Sequence, residues 1–146
     1  MKIDAGCSLL VAGSSKEIGE VHLLNAKSYR DLEIYQLSYK LAMKIHRISL
    51  KLPKYELYEE GSQIRRSSKG VPSTIVERYG RRKYKNDFVR FLVYAQASCD
   101  ETQVHFEFIH DSGYITDDVY VELKEENDKL GRKINKFIQY VETKWK

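Results

Sequence analysis

Nine lysines and arginines fall between Arg65 and Arg90, opposed in that stretch only by Glu77 and Asp87. Arg65, Arg66, Lys69, Arg78, Arg81, Arg82, Lys83, Lys85 and Arg90 are therefore the residues with the clearest chemistry to offer. Guanidinium and ammonium groups hold phosphate oxygens, arginine through a two-pronged fork and lysine as a point charge. The whole chain has a net charge of +4, so the remainder outside this stretch is net acidic. A field concentrated in this way draws polyanions and gives binding that weakens with salt. RNA or DNA held by its phosphate backbone is the partner these nine residues fit. Tyr79 and Tyr84 are the few aromatics expected beside them, which favours phosphate contact over sequence-specific base stacking. Charge runs are also the ordinary composition of a solvated face. A structural or protein-interaction oligomer, whose cations serve subunit contacts or a protein partner, is thus the alternative.

Catalytic and metal chemistry needs groups that converge, and the sequence offers few. His22, His46, His105 and His110 are dispersed, and Cys7 and Cys99 lack the paired spacing of a structural zinc site. There is no Gly-rich phosphate loop and no G-x-S-x-G elbow. Glu107 and His110 form a single E-x-x-H step, whereas di-iron bundles need two such steps and two further glutamates. Glu101 falls among apolar positions, where a buried pair with Arg65 or Arg66 would set helix register. The expectation is a non-enzymatic protein without metal or cofactor.

The elements that carry these residues follow from periodicity. A chain of 146 residues with only two prolines and eight glycines reads as one all-α domain. Ile34, Leu37, Leu41, Ile45, Ile48 and Leu52 recur at helical spacing after Asp31 and stop at Pro53. A second helix, from about Glu56 to Gly80, buries Leu57, Ile64, Val71, Ile75 and Tyr79 and carries most of the basic residues. Pro72 lies inside it and should kink or break it near Gly70 and Val71. The third, from about Asn86, carries Phe88, Phe91, Leu92, Ala95, Cys99, Thr102, Phe106 and Ile109 on one stripe. A second apolar set beside that stripe, Val89, Val93, Tyr94, Val104 and Phe108, makes this helix either central to the domain or covered by another subunit, and with only four helices available the subunit interface is favoured. The fourth begins at Thr116, with Asn127 at a core-type position where it would fix register. Four long amphipathic helices with short links make an antiparallel up-and-down four-helix bundle over residues 29–146, preceded by a poorly ordered arm at 1–28. Two widely separated cysteines and no export signal or membrane segment indicate reduced thiols and a cytoplasmic location.

The residues also carry a resemblance. Tyr29-Arg30-Asp31-Leu32-Glu33, Leu57-Tyr58, Gln63-Ile64-Arg65-Arg66, Val71-Pro72-Ser73, Glu77, Gly80-Arg81, Phe88-Val89-Arg90-Phe91-Leu92, Ala95, Ser98, Glu101 and Gly113-Tyr114-Ile115 are similar to the four-helix-bundle proteins encoded in intervening sequences of bacterial 23S ribosomal RNA genes. That resemblance implies a left-handed antiparallel bundle assembled into a barrel-like homopentamer. It also implies kinship with the accessory protein of diversity-generating retroelements, which partners a reverse transcriptase and nucleic acid. The chain departs from the usual pattern at Thr74, Val76, Arg78 and Ala97.

Overall fold

The computed structural model describes residues 26–145. Within them are four helices, α1 (Glu33–Ser49), α2 (Glu60–Tyr79), α3 (Lys85–Asp111) and α4 (Asp117–Lys144), preceded by one 3-10 turn, Tyr29–Asp31. No strand occurs among the described residues. Most of the expected N-terminal arm, residues 1–25, lies outside them.

Side-chain pairings show that each helix runs opposite to its neighbours. Between α2 and α3, Thr102 Oγ1 donates to Ser67 Oγ at 3.0 Å, and Ser98 lies against Gly70. A Cβ on Gly70 would come within 3.3 Å of Ser98 Oγ, so glycine permits the close approach of these two helices. Between α3 and α4, buried Asn127 donates from Nδ2 to the Cys99 carbonyl at 3.0 Å, and its Oδ1 accepts from Cys99 Sγ at 3.2 Å. Asn127 therefore does fix register, within one chain. Between α1 and α4, Lys44 pairs with Glu122 and Glu126 and Lys133 with Glu33. The helices thus form an up-and-down bundle whose cyclic order is the chain order.

The expected stripes supply the core. Ile45, Ile64, Ile75, Leu92, Phe106, Leu123 and Ile134 are all essentially withdrawn from water. Each such side chain contributes about 1.5–3 kcal/mol relative to exposure, which offsets the conformational entropy of ordering it. Leu37 and Ile48 lie at the edge of the stripe and are half-buried.

Local signals place the helix ends, with some corrections. Asp31 does not cap α1; its carboxylate accepts from the Lys27 and Ser28 amides, while Ser28 Oγ accepts from Arg30 N. This reciprocal capping box belongs to the 3-10 turn, and Leu32 starts α1 instead. Helix α2 begins at Glu60, four residues later than expected, because the Glu56 carbonyl is taken by the amides of Glu59 and Gly61 in a turn. Pro72 does not break α2, which is one continuous helix with the proline ring buried in the core. Gly80 closes α2 in a right-handed conformation, so the left-handed freedom of glycine is not used there. It is used at Gly113, with φ 79°, where Tyr114 N donates to Ile109 O and Gly113 N to His110 O. That pairing is a Schellman ending for α3. Thr116 caps α4 as expected, its Oγ1 accepting from Val119 N at 3.3 Å.

Candidate nucleic-acid interface

The basic residues divide into two groups along the bundle. Arg65, Arg66 and Lys69 lie in the first half of α2, whereas Arg78 to Arg90 occupy the α2–α3 turn and the helix ends that flank it. Phe88 anchors that end, fully buried and edge-on to Phe137 at 5.9 Å, with Trp145 beside it at 5.8 Å. The Tyr79 hydroxyl donates to the Ala26 carbonyl at 3.3 Å and ties the start of the described chain to the same end.

Several of the nine candidates are partly occupied by the fold. Arg65 is a structural residue: it donates from Nη1 to Ser49 Oγ at 3.0 Å and from Nη2 to the Leu57 carbonyl at 2.7 Å, fastening the α1–α2 connection to α2. Lys69 Nζ lies 3.1 Å from His46 Nδ1. Arg82 rests over the Tyr79 ring at 4.4 Å and donates to the Tyr79 carbonyl at 3.0 Å. Arg78 lies over Phe91 at 3.8 Å, with Glu77 Oε1 3.3 Å from its Nη2. Arg90 donates from Nε to the Tyr94 hydroxyl at 2.8 Å. Arg66, Arg81 and Lys83 are exposed and Lys85 is half-buried, and none of the four has an ion-pair partner among the described residues. Of these four, Arg81, Lys83 and Lys85 lie at the α2–α3 turn and the start of α3.

Two aromatics were missed beside these cations. Tyr79 is buried and unavailable, whereas Tyr84 is 65 % exposed within the turn. Phe91 and Tyr94 come from the first turns of α3 and meet Arg78 and Arg90. The alternation Arg90, Phe91, Tyr94 held the signal, but an apolar residue on a helix reads first as core.

The buried pair expected for Glu101 does not form. Glu101 projects to the outer side of α3, 57 % exposed, and lies 3.5 Å from His105 Nε2. The next residue, Thr102, takes the inward position against α2, and no ion pair joins Glu101 to Arg65 or Arg66 among the described residues. His105 Nδ1 lies 2.8 Å from Glu60 instead. Nor do the E-x-x-H residues converge: Glu107 is exposed, while His110 stacks on Tyr120 at 4.3 Å and reaches Asp117 at 2.6 Å. No cluster able to hold a metal occurs among the described residues. Burial pushes the Cys99 thiol up to about 12, leaving it a packed, protonated group. No helix among the described residues is long and apolar enough to cross a membrane.

Comparison with curated proteins returns no match. Among solved structures, a protein of unknown function from the S23 ribosomal protein family of Bacteroides thetaiotaomicron is similar, at a TM-score of 0.65 and 18 % identity. The match covers 73 % of this chain and 95 % of that one, and at this identity it speaks to the fold. Residues 30–136 match the model of the 23S rRNA-intervening sequence proteins, a span that takes in all three inter-helix connections and the whole basic stretch, and the chain belongs to that family.

Proposed function

We propose that this protein is a non-enzymatic, cytoplasmic, oligomeric bundle that binds RNA or DNA by its phosphates at the α2–α3 end. The observation that carries the reading is the set of cations left without carboxylate partners there, with Arg81 and Lys83 fully presented to solvent. Between residues 73 and 92 six lysines and arginines face only two acids, so an approaching phosphate meets attraction rather than competition. Ribosomal RNA is the first target to try, given what the family is named for.

The triple variant Arg81→Ala, Lys83→Ala, Lys85→Ala tests this in a titration with a labelled ribosomal RNA fragment. Loss of three phosphate contacts should weaken binding about 100-fold near 0.1 M salt, from the counterion-release slope. Circular dichroism should be unchanged, since none of the three side chains belongs to the core. Unchanged affinity would remove the assignment.

A second reading is favoured by a specific feature, the exposed apolar stripe of Val93, Tyr94, Val104 and Phe108 along the outside of α3. Apolar residues repeated over four turns of one outer face suit a subunit contact, and the family resemblance suggests a pentameric ring. If the stripe serves assembly alone, the protein is a structural or protein-interaction oligomer. Light scattering on Val104→Lys, Phe108→Lys tests assembly: a fall in mass supports the stripe as a subunit contact. An unchanged mass removes it.

A further inference from the structure

We propose that the outer surface shared by the end of α2 and the first turns of α3 is a stacking site for unpaired nucleobases, so that the preferred ligand is single-stranded. The inference rests on the phosphate-binding reading above and names the form of nucleic acid that fits. Four side chains make a continuous ladder. The Arg78 guanidinium lies 3.8 Å from the centre of Phe91, Phe91 meets Tyr94 edge-on at 5.4 Å and 88°, and Arg90 lies 5.7 Å from the Tyr94 centre while bonding its hydroxyl.

Three features distinguish this ladder from ordinary helix surface. Arg78 lies over the Phe91 ring with its Nε unpartnered among the described residues, while Glu77 Oε1 lies 3.3 Å from its Nη2. Tyr94 remains 44 % exposed and no core residue needs it, so its ring presents apolar area to solvent between two cations. Tyr84, in the neighbouring turn, adds a second open ring beside Arg81, Arg82 and Lys83 in the sequence. Bases stack on aromatic rings and on guanidinium planes, and cations beside the rings hold the linking phosphates. Paired bases hide their faces inside a duplex, so a surface built of faces discriminates against it. The acids facing the ladder are Glu77 and Asp87, both exposed and outnumbered by the cations.

The experiment uses the full chain and two probes, a 12-nucleotide uridine-rich RNA strand and a 12-base-pair RNA duplex, at matched salt. A surface that reads phosphates alone should favour the duplex, which has the higher charge density. The stacking site should instead favour the single strand by about 10-fold, and Tyr94→Ala should abolish that preference while leaving the duplex affinity and its salt slope in place. Tyr94→Phe should retain the preference. A duplex bound as tightly as the single strand, or a Tyr94→Ala variant that keeps the preference, overturns stacking but leaves phosphate binding standing. Failure of both probes to bind at low salt overturns both. Light scattering on the same samples closes the remaining route: if Tyr94→Ala lowers the mass of an assembly, Tyr94 is a subunit contact and the stacking proposal falls.

Discussion

The two ends of the bundle contain the same kinds of charged residue and treat them in opposite ways. Around the α3–α4 turn, several basic side chains meet carboxylates, Lys44 with Glu122 and Glu126, His105 with Glu60, His110 with Asp117, and Lys124 with Asp128, while Arg47, Lys51 and Lys54 at that end have no ion-pair partner among the described residues. Ten acids against two lysines between residues 100 and 131 favour such pairing. Around the α2–α3 turn, carboxylates are scarce, and arginines lie against rings or stand in solvent. A cation already neutralised by a neighbour offers little to a ligand, whereas an unpaired one keeps its full field. The concentration of cations around one turn, with few carboxylates beside them, therefore locates the candidate site.

The comparison can be broken most severely by removing what anchors the basic end. Phe88→Ala should cost about 3–5 kcal/mol, because it empties the space between Phe137 and Trp145 under the α2–α3 turn. Urea unfolding checks this, and a loss below about 1 kcal/mol would show that the end is not held from beneath.

A smaller effect sharpens the contrast between paired and unpaired charge. Lys44→Ala should lower stability by up to about 1 kcal/mol, as it strips two carboxylates of their partner at a half-exposed site. Burial alone would depress the Lys44 pKa, yet the hydrogen bonds it donates to Glu122 and Glu126, with their charges, outweigh it and leave it raised. Arg81→Ala should instead change stability by no more than about 0.5 kcal/mol in either direction. Thermal melts of the two variants side by side decide whether the ends differ as described.

The smallest expected effect is a pH dependence at the paired end. The hydrogen bond to Asp117 is the largest influence on His110 and raises its pKa above the ordinary histidine value, burial opposes it, and Asp111 adds to it. A folded pKa above the unfolded one means that the contribution of this pair is fully present below about pH 6.5 and is lost as pH rises through the folded pKa. Asp117→Asn should bring the His110 titration down, and its stability deficit relative to the parent chain should shrink at alkaline pH. A proton NMR titration placing His110 at or below the ordinary value would contradict the pairing.

The sequence makes the fold legible because helix periodicity needs only local spacing. Ile34, Leu41 and Ile45 on α1, and Leu123, Leu130, Ile134 and Val141 on α4, are buried as that spacing requires. Asn127 is legible too, as a polar residue at a core position. Glu101 misleads because one residue, about 100° of helical turn, separates the inward Thr102 from an outward carboxylate. Pro72 does not end α2, because an interior proline removes one hydrogen bond from a helix that tertiary packing holds on both sides. The Arg78 to Phe91 contact joins two helices, and no periodicity within either one reports it.

The most direct test of the central claim is the slope of log affinity against log salt for a ribosomal RNA strand, measured with the parent chain and with Arg81→Ala, Lys83→Ala, Lys85→Ala. The parent should bind at low salt with a steep negative slope, and the variant's slope should be shallower by about 2, corresponding to three lost phosphate contacts. Identical slopes, or no binding by the parent chain at low salt, would contradict the account of the α2–α3 end as a phosphate-binding surface.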